Sequence, residues 1–365
     1  MHHLYKEESV EGRYVTLNHL TKTWLPGLPE QYVDTIGKSE NGQLIYSITL
    51  GTGEKKVLMW SQMHGNESTT TKAVLDLVNF LSSNSDISNE ILKNCKLVIL
   101  PMLNPDGAKA YTRVNANEVD LNRDAQNRSQ AETNILWSVF ESFQPNFCFN
   151  LHDQRTLFNV GGTDQVATVS FLSPASDSQR SITDSRVEAM KLIVGMNHRL
   201  QQEIPGQVGR YDDAFNANCI GDSFQMKKVP TVLFEAGHYP NDYEREETRR
   251  FIFFALIEAL EIISENKLDN FEVSEYASIP ENHKFFFDVL IKNASVVNPN
   301  IETGNSVGIR YEEILNANSI EFKPKVDEVG TLEDFYGHLE LDLTVSEDFD
   351  SLSSQKEILE LLIHL

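Results

Sequence analysis

The stretch Met63-His64-Gly65-Asn66-Glu67 sets an imidazole and a carboxylate three positions apart, directly after the apolar run Val57-Leu58-Met59-Trp60. Phe149-Asn150-Leu151-His152-Asp153 ends a second mostly apolar run in a histidine, and Thr231-Val232-Leu233-Phe234-Glu235 ends a third in a glutamate. Short apolar runs of this kind read as buried strands. His64, Glu67 and His152 are a donor set for Zn2+, and three protein ligands leave a fourth position for water. A carboxylate behind four apolar or β-branched residues is costly to bury without a partner or a task. Glu235 therefore reads as a general base beside the metal. Taken singly, each signal has a plainer meaning: His-x-x-Glu is more often a surface turn, and a buried Glu often pairs with a core Arg. Three such residues at three strand ends favour metal-assisted hydrolysis.

The elements that must position them follow from periodicity. Residues 31–50 read as a hairpin turning at Ser39-Glu40-Asn41-Gly42, because Asn-Gly favours tight turns. Residues 57–62, 96–102, 146–151 and 230–234 read as buried strands. Residues 68–81, 129–143, 184–203 and 244–264 carry helical spacing of apolar side chains. Asn104-Pro105-Asp106-Gly107 is a turn by composition. Strands alternating with helices predict an α/β sheet covered on both faces, in which ligands collect beyond the strands' carboxyl ends. Residues 1–270 form the expected main domain. The polar stretch 266–283 reads as a linker, and residues 284–365 as a small β-rich module with a terminal helix near 354–363.

Composition narrows the partners. The net charge of −23 argues against nucleic acid and against an anionic membrane surface. Residues 266–365 hold 20 acidic and 7 basic side chains, which reads as a solvated acidic surface. No apolar run of about 18 residues predicts a membrane span. Met1-His2-His3 begins a stretch with no apolar core, so no secretory signal is expected and His2-His3 reads as a flexible end. Cys95, Cys148 and Cys219 form no disulfide or zinc-finger pattern, which fits a reducing, cytoplasmic location.

Asn104-Pro105-Asp106-Gly107 and the later Arg113-Val114-Asn115-Ala116-Asn117-Glu118-Val119-Asp120-Leu121-Asn122-Arg123, with the strand-end residues, resemble the zinc carboxypeptidase superfamily over roughly residues 40–260. The resemblance implies a mixed, mainly parallel twisted sheet with helices on both faces, plus the C-terminal β-rich module. It implies one zinc per chain on His64, Glu67 and His152, with Glu235 as catalytic glutamate. Asn122 and Arg123 would bind the terminal carboxylate, Arg113 would hold the developing oxyanion, and Tyr211 would cap the substrate. Arg's planar fork suits a carboxylate. The implied activity is release of a C-terminal amino acid from peptides.

Glu235-Ala236-Gly237 and His-Gly-Asn-Glu also resemble the succinylglutamate desuccinylase/aspartoacylase branch. The alternative is thus an N-acyl amino acid deacylase with the same site. A non-catalytic metal-dependent binding protein is a third reading. Only 84 residues lie between Glu67 and His152, which looks like the compact, bacterial-type branch. Asp124 would affect pocket polarity, Arg155 and Asp222 are candidate pocket-lining residues, and His238 reads as a rim histidine.

Overall fold

The computed structural model describes residues 1–365. Along the chain run α1 (Leu17–His19), β1 (Val33–Lys38), β2 (Leu44–Leu50), β3 (Lys55–Ser61), α2 (Thr69–Leu81), α3 (Asp86–Asn94), β4 (Cys95–Leu100), α4 (Pro105–Ala110), α5 (Ala131–Phe143) and β5 (Phe147–Asp153). Then come β6 (Asn159–Val160), β7 (Val169–Leu172), α6 (Asp184–Leu200), β8 (Val208–Arg210), α7 (Ile220–Met226), β9 (Thr231–Ala236), α8 (Glu246–Ser264) and α9 (Val273–Ser278). The C-terminal part holds β10 (Asn282–His283), β11 (Phe286–Lys292), β12 (Ser306–Asn316), β13 (Ser319–Gly330), β14 (Tyr336–Asp342), α10 (Ser346–Ser354) and α11 (Lys356–Ile363).

Eight strands form one mixed sheet in the order β1-β2-β4-β3-β5-β9-β7-β8. Its centre, β4-β3-β5-β9, is parallel, and β2 and β7 join it antiparallel. Side chains alternate across each strand. Val57, Met59, Phe149, Leu151, Val232 and Phe234 turn to one face, where α2, α6 and α8 cover them. Leu58, Trp60 and Cys148 turn to the other, against Trp137 and Phe140 of α5 and Phe224 of α7. Burial on both faces is why these strands read as unbroken apolar runs.

The β1–β2 hairpin turns where expected, with Gly42 at φ 78°, a conformation glycine adopts without strain. Four expectations need correction, that of residues 266–283 among them. Asn104-Pro105-Asp106-Gly107 starts a helix: Pro105 takes the first position, where its missing N–H costs nothing, and the Asn104 side chain caps the Gly107 amide at 2.8 Å. The amino-terminal end is pinned, since His2 is 6 % exposed and its Nε2 lies 2.7 Å from buried Asp76, which also takes a two-pronged bond from Arg249. The terminal helix is two helices, α10 and α11, meeting at Gln355.

Residues 266–283 are packed rather than loose. Tyr276 and Ile279 join the main core, Arg210 N–H donates to Pro280 O, and Gly161 N–H donates to Glu281 O at 2.7 Å. The C-terminal sheet, β13-β12-β11-β14, has its own core with α10 and α11. It holds the segment just beyond β5: Phe286 N–H donates to Leu157 O at 3.2 Å, and His338 Nε2 to Thr156 O at 2.8 Å. Glu313 of β12 accepts from Tyr111 and pairs with buried Arg13 at 3.0 Å.

Candidate metal centre

His64 and Glu67 sit on the turn between β3 and α2. That turn is braced by the Asn-Pro-Asp-Gly segment. A Cβ on Gly65 would lie 1.9 Å from the Gly107 carbonyl carbon, so the two glycines let the backbones meet. Asn104 Nδ2 ties Met63 O at 3.1 Å and Val114 O at 3.2 Å. Asp153, just after His152, caps the start of α2 by accepting from Thr69 and Thr70 N–H at 2.8 and 3.1 Å. Strand end and helix start are thereby held together.

The three donors converge. His64 Nδ1 lies 2.9 Å from Glu67 Oε1, His152 Nδ1 lies 2.8 Å from Glu67 Oε2, and the two Nδ1 atoms are 3.0 Å apart. All three residues are buried, and their donor atoms fall within 4.8 Å of one another. His64 Nε2 faces Asp120 Oδ1 at 2.9 Å. A proton on Nε2 leaves the Nδ1 lone pair aimed at the cluster, as a metal ligand requires. Two imidazole nitrogens and a carboxylate packed this closely suit a divalent cation with nitrogen and oxygen ligands, so the residues fit zinc. Burial pushes the His152 imidazole down, toward the neutral form a ligand needs. At Glu67 burial opposes ionisation, but His64 and His152 outweigh it and hold the carboxyl well below its usual range.

Glu235 stands in register beside His152 on the adjacent parallel strand, and both side chains belong to the face opposite Phe149 and Phe234. Burial pushes its carboxyl well above the ordinary range, and the charges of Glu67 and Asp153 add to this. Arg113 donates to Glu67 Oε1 at 3.1 Å and to Asp120 Oδ2 at 3.0 Å, with about half its side chain exposed. Asn122 Oδ1 accepts from Ile220 N–H at 3.0 Å. Exposed Arg123 donates to Asn122 O at 2.7 Å and reaches Cys219 Sγ at 3.2 Å. Tyr211 follows β8 and packs on Phe158, and its phenol is raised by burial and by the carboxylates of Glu235 and Glu67. The fold thus brings His64, Glu67, His152 and Arg113 into one bonded cluster, with Glu235 in register beside His152.

Other residues land differently. Asp124 is buried and spent on the loop before α5, accepting from Ser129 and Gln130 N–H at 3.0 Å each. His238 is no rim residue: it is 1 % exposed and lies against His338. Asp222 is mostly buried near Arg123, and burial pushes its carboxyl up to about 6. Asp120 was not singled out from sequence. It holds both His64 and Arg113, and its place two residues before Asn122 was the available signal. At Asp120 burial opposes ionisation, but His64 and Arg113 overcome it and hold the carboxylate down.

A mixed α/β sheet thus carries, beyond its strand ends, three convergent side chains that could hold a metal ion. Residues 28–198 match the zinc carboxypeptidase family. The chain is 29 % identical over 168 residues to a probable carboxypeptidase 2 of Trichophyton verrucosum (strain HKI 0517), covering 43 % of this chain and 30 % of that protein. It is 24 % identical over 169 residues to carboxypeptidase D of Homo sapiens, covering 39 % of this chain and 12 % of that one. The chain therefore spans under a third of the length of these relatives. Among solved structures, a metallo-carboxypeptidase from Burkholderia cenocepacia superposes with a TM-score of 0.53 at 18 % identity, over 64 % of this chain and 65 % of that one. Carboxypeptidase A from Helicoverpa armigera gives 0.55 at 15 % identity, over 70 % and 74 %. These likenesses bear on the fold. No helix is long and apolar enough to cross a membrane.

Proposed function

We propose that this chain is a zinc-dependent hydrolase that removes a C-terminal amino acid from peptides, with one zinc on His64, Glu67 and His152. The observation that supports it most is Glu235 in register beside His152, a half-buried carboxylate next to three convergent metal donors. Zinc, when bound, lowers the pKa of a coordinated water to about 7 and polarises the scissile carbonyl. The protein supplies the rest. Glu235 accepts the water's proton and passes it to the leaving amine. Arg113 offers its guanidinium to the oxyanion as charge develops there. Asn122 and Arg123 hold the substrate's terminal carboxylate, Arg123 by its planar fork. Tyr211 closes over the bound residue. Asp120 fixes His64 and Arg113 in the orientations these roles need. Three unpaired cysteines support a reducing, cytoplasmic setting.

Blocked dipeptides ending in apolar, basic and acidic residues, run beside N-acetyl and N-succinyl amino acids with and without chelator, test this reading. Chelator-sensitive release of a C-terminal residue is the expected result. Hydrolysis of the acyl amino acids alone would assign the same site to deacylation.

A further inference from the structure

A pair of imidazoles, His238 buried and His338 half-buried, lies between the main sheet and the C-terminal sheet. His238, on the connection from β9 to α8, is 1 % exposed, and neither ring nitrogen has a hydrogen-bond partner. His338 of β14 faces it with ring centroids 4.2 Å apart. On its other side His338 stacks on Phe286 at 4.6 Å, and its Nε2 donates to Thr156 O at 2.8 Å. Its neutral ring therefore keeps a bare Nδ1.

The surroundings disfavour positive charge on the pair. Arg245, at the head of α8, repels charge on both rings, and Arg13 of the N-terminal segment repels it on His238. Asp288 of β11 attracts charge on His338, but its oxygens already accept from Tyr243 OH and Tyr311 N–H at 2.9 Å each. The Tyr243 ring lies 4.7 Å from His238 and is a phenol rather than a phenolate, its ionisation suppressed first by burial and then by Asp288. A phenyl ring would fill the His238 seat without the cost of burying unpartnered polar atoms. What imidazole adds there is a site for a proton.

We propose that His238 and His338 form an acid-sensitive latch: the C-terminal sheet stays docked while both rings are neutral, and their protonation releases it from the segment 155–160 that follows His152. The sign follows from burial, which pushes both imidazoles down in the docked state. The released state then binds more protons, so docking weakens as pH falls below about 6.5, by up to tenfold per pH unit for each ring. Release frees the exit of β5, where Phe286 N–H and His338 now hold Leu157 and Thr156. The inference rests on this seam and not on the hydrolase reading.

Hydrogen exchange of the Phe286 and Gly161 amides in the full chain, corrected for intrinsic rates between pH 7.5 and 5.0, tests it. Wild-type protein should lose at least tenfold protection across this range and regain it on neutralisation. His238→Phe should show a smaller loss of protection, since His338 alone then titrates, and the double variant His238→Phe/His338→Phe should hold protection flat. Glu235→Gln should keep the wild-type step, which separates the latch from the hydrolytic site. Flat protection in the wild type, or an unchanged acid step in His238→Phe, would overturn the latch. Should that variant not fold, NMR titration of the wild-type His238 ring decides. Titration coincident with the loss of protection supports the latch, and a ring that stays neutral through that loss refutes it.

Discussion

His152 and Glu235 lie in register on neighbouring parallel strands, so one strand pair presents a metal donor and a half-buried carboxylate on the same face of the sheet. The Glu235 carboxyl is raised by burial, then by Glu67 and Asp153, and a raised base pKa moves the acid limb of the rate profile upward. The acid limb of kcat/KM should therefore lie above the ordinary glutamate value of about 4.3. A profile flat down to that value would remove Glu235 from the base role.

The same shift predicts a change in stability. A carboxyl whose folded pKa exceeds its unfolded one costs stability as pH rises through the interval between them. Glu235→Gln should therefore raise the Tm of chelator-treated protein at pH 7 and leave it little changed at pH 4. A lower Tm at pH 7 would mean that the carboxylate is stabilised by contacts its neighbours do not suggest.

Asp120 orients His64 through Nε2 and Arg113 through Nε. Asp120→Ala should weaken zinc binding by about 10–100-fold, the usual effect of losing a ligand's outer partner. Competition against a metal indicator measures this. Unchanged affinity would show that the ring is held by packing alone.

Asn104 is fully buried and makes three bonds, to Gly107 N–H, Met63 O and Val114 O. Asn104→Ala should cost about 1–3 kcal/mol, because it leaves buried groups unpaired. Gly65→Ala should do worse at the metal centre, since its Cβ would strike the Gly107 backbone at 1.9 Å. Denaturant unfolding and zinc titration of the two variants separate these effects.

Much of the site was legible because its residues end apolar runs. Val57–Trp60 and Phe149–Leu151 are buried on both faces of the sheet and Thr231–Phe234 is largely so, so their pattern announces strands and the polar residue after each marks an end. The partners of those residues were less legible. Asp120 meets His64 across 56 positions, and the bond depends on a loop path that periodicity does not encode. Asp124 read as a pocket residue because its neighbours do, yet its carboxylate turns back to cap its own loop. His238 looked peripheral because the strand that covers it, with His338, comes 100 residues later. Strands β7 and β8 escaped notice because Val169–Leu172 and Val208–Arg210 are too short for a period to show.

The most direct measurement is zinc content together with turnover of a C-terminally unblocked peptide, for wild type and Glu235→Gln. The account predicts about one zinc per chain in both, and a fall in kcat of about 10²–10⁴-fold in the variant. Wild-type protein that binds no zinc, or a variant that keeps full turnover, would contradict it.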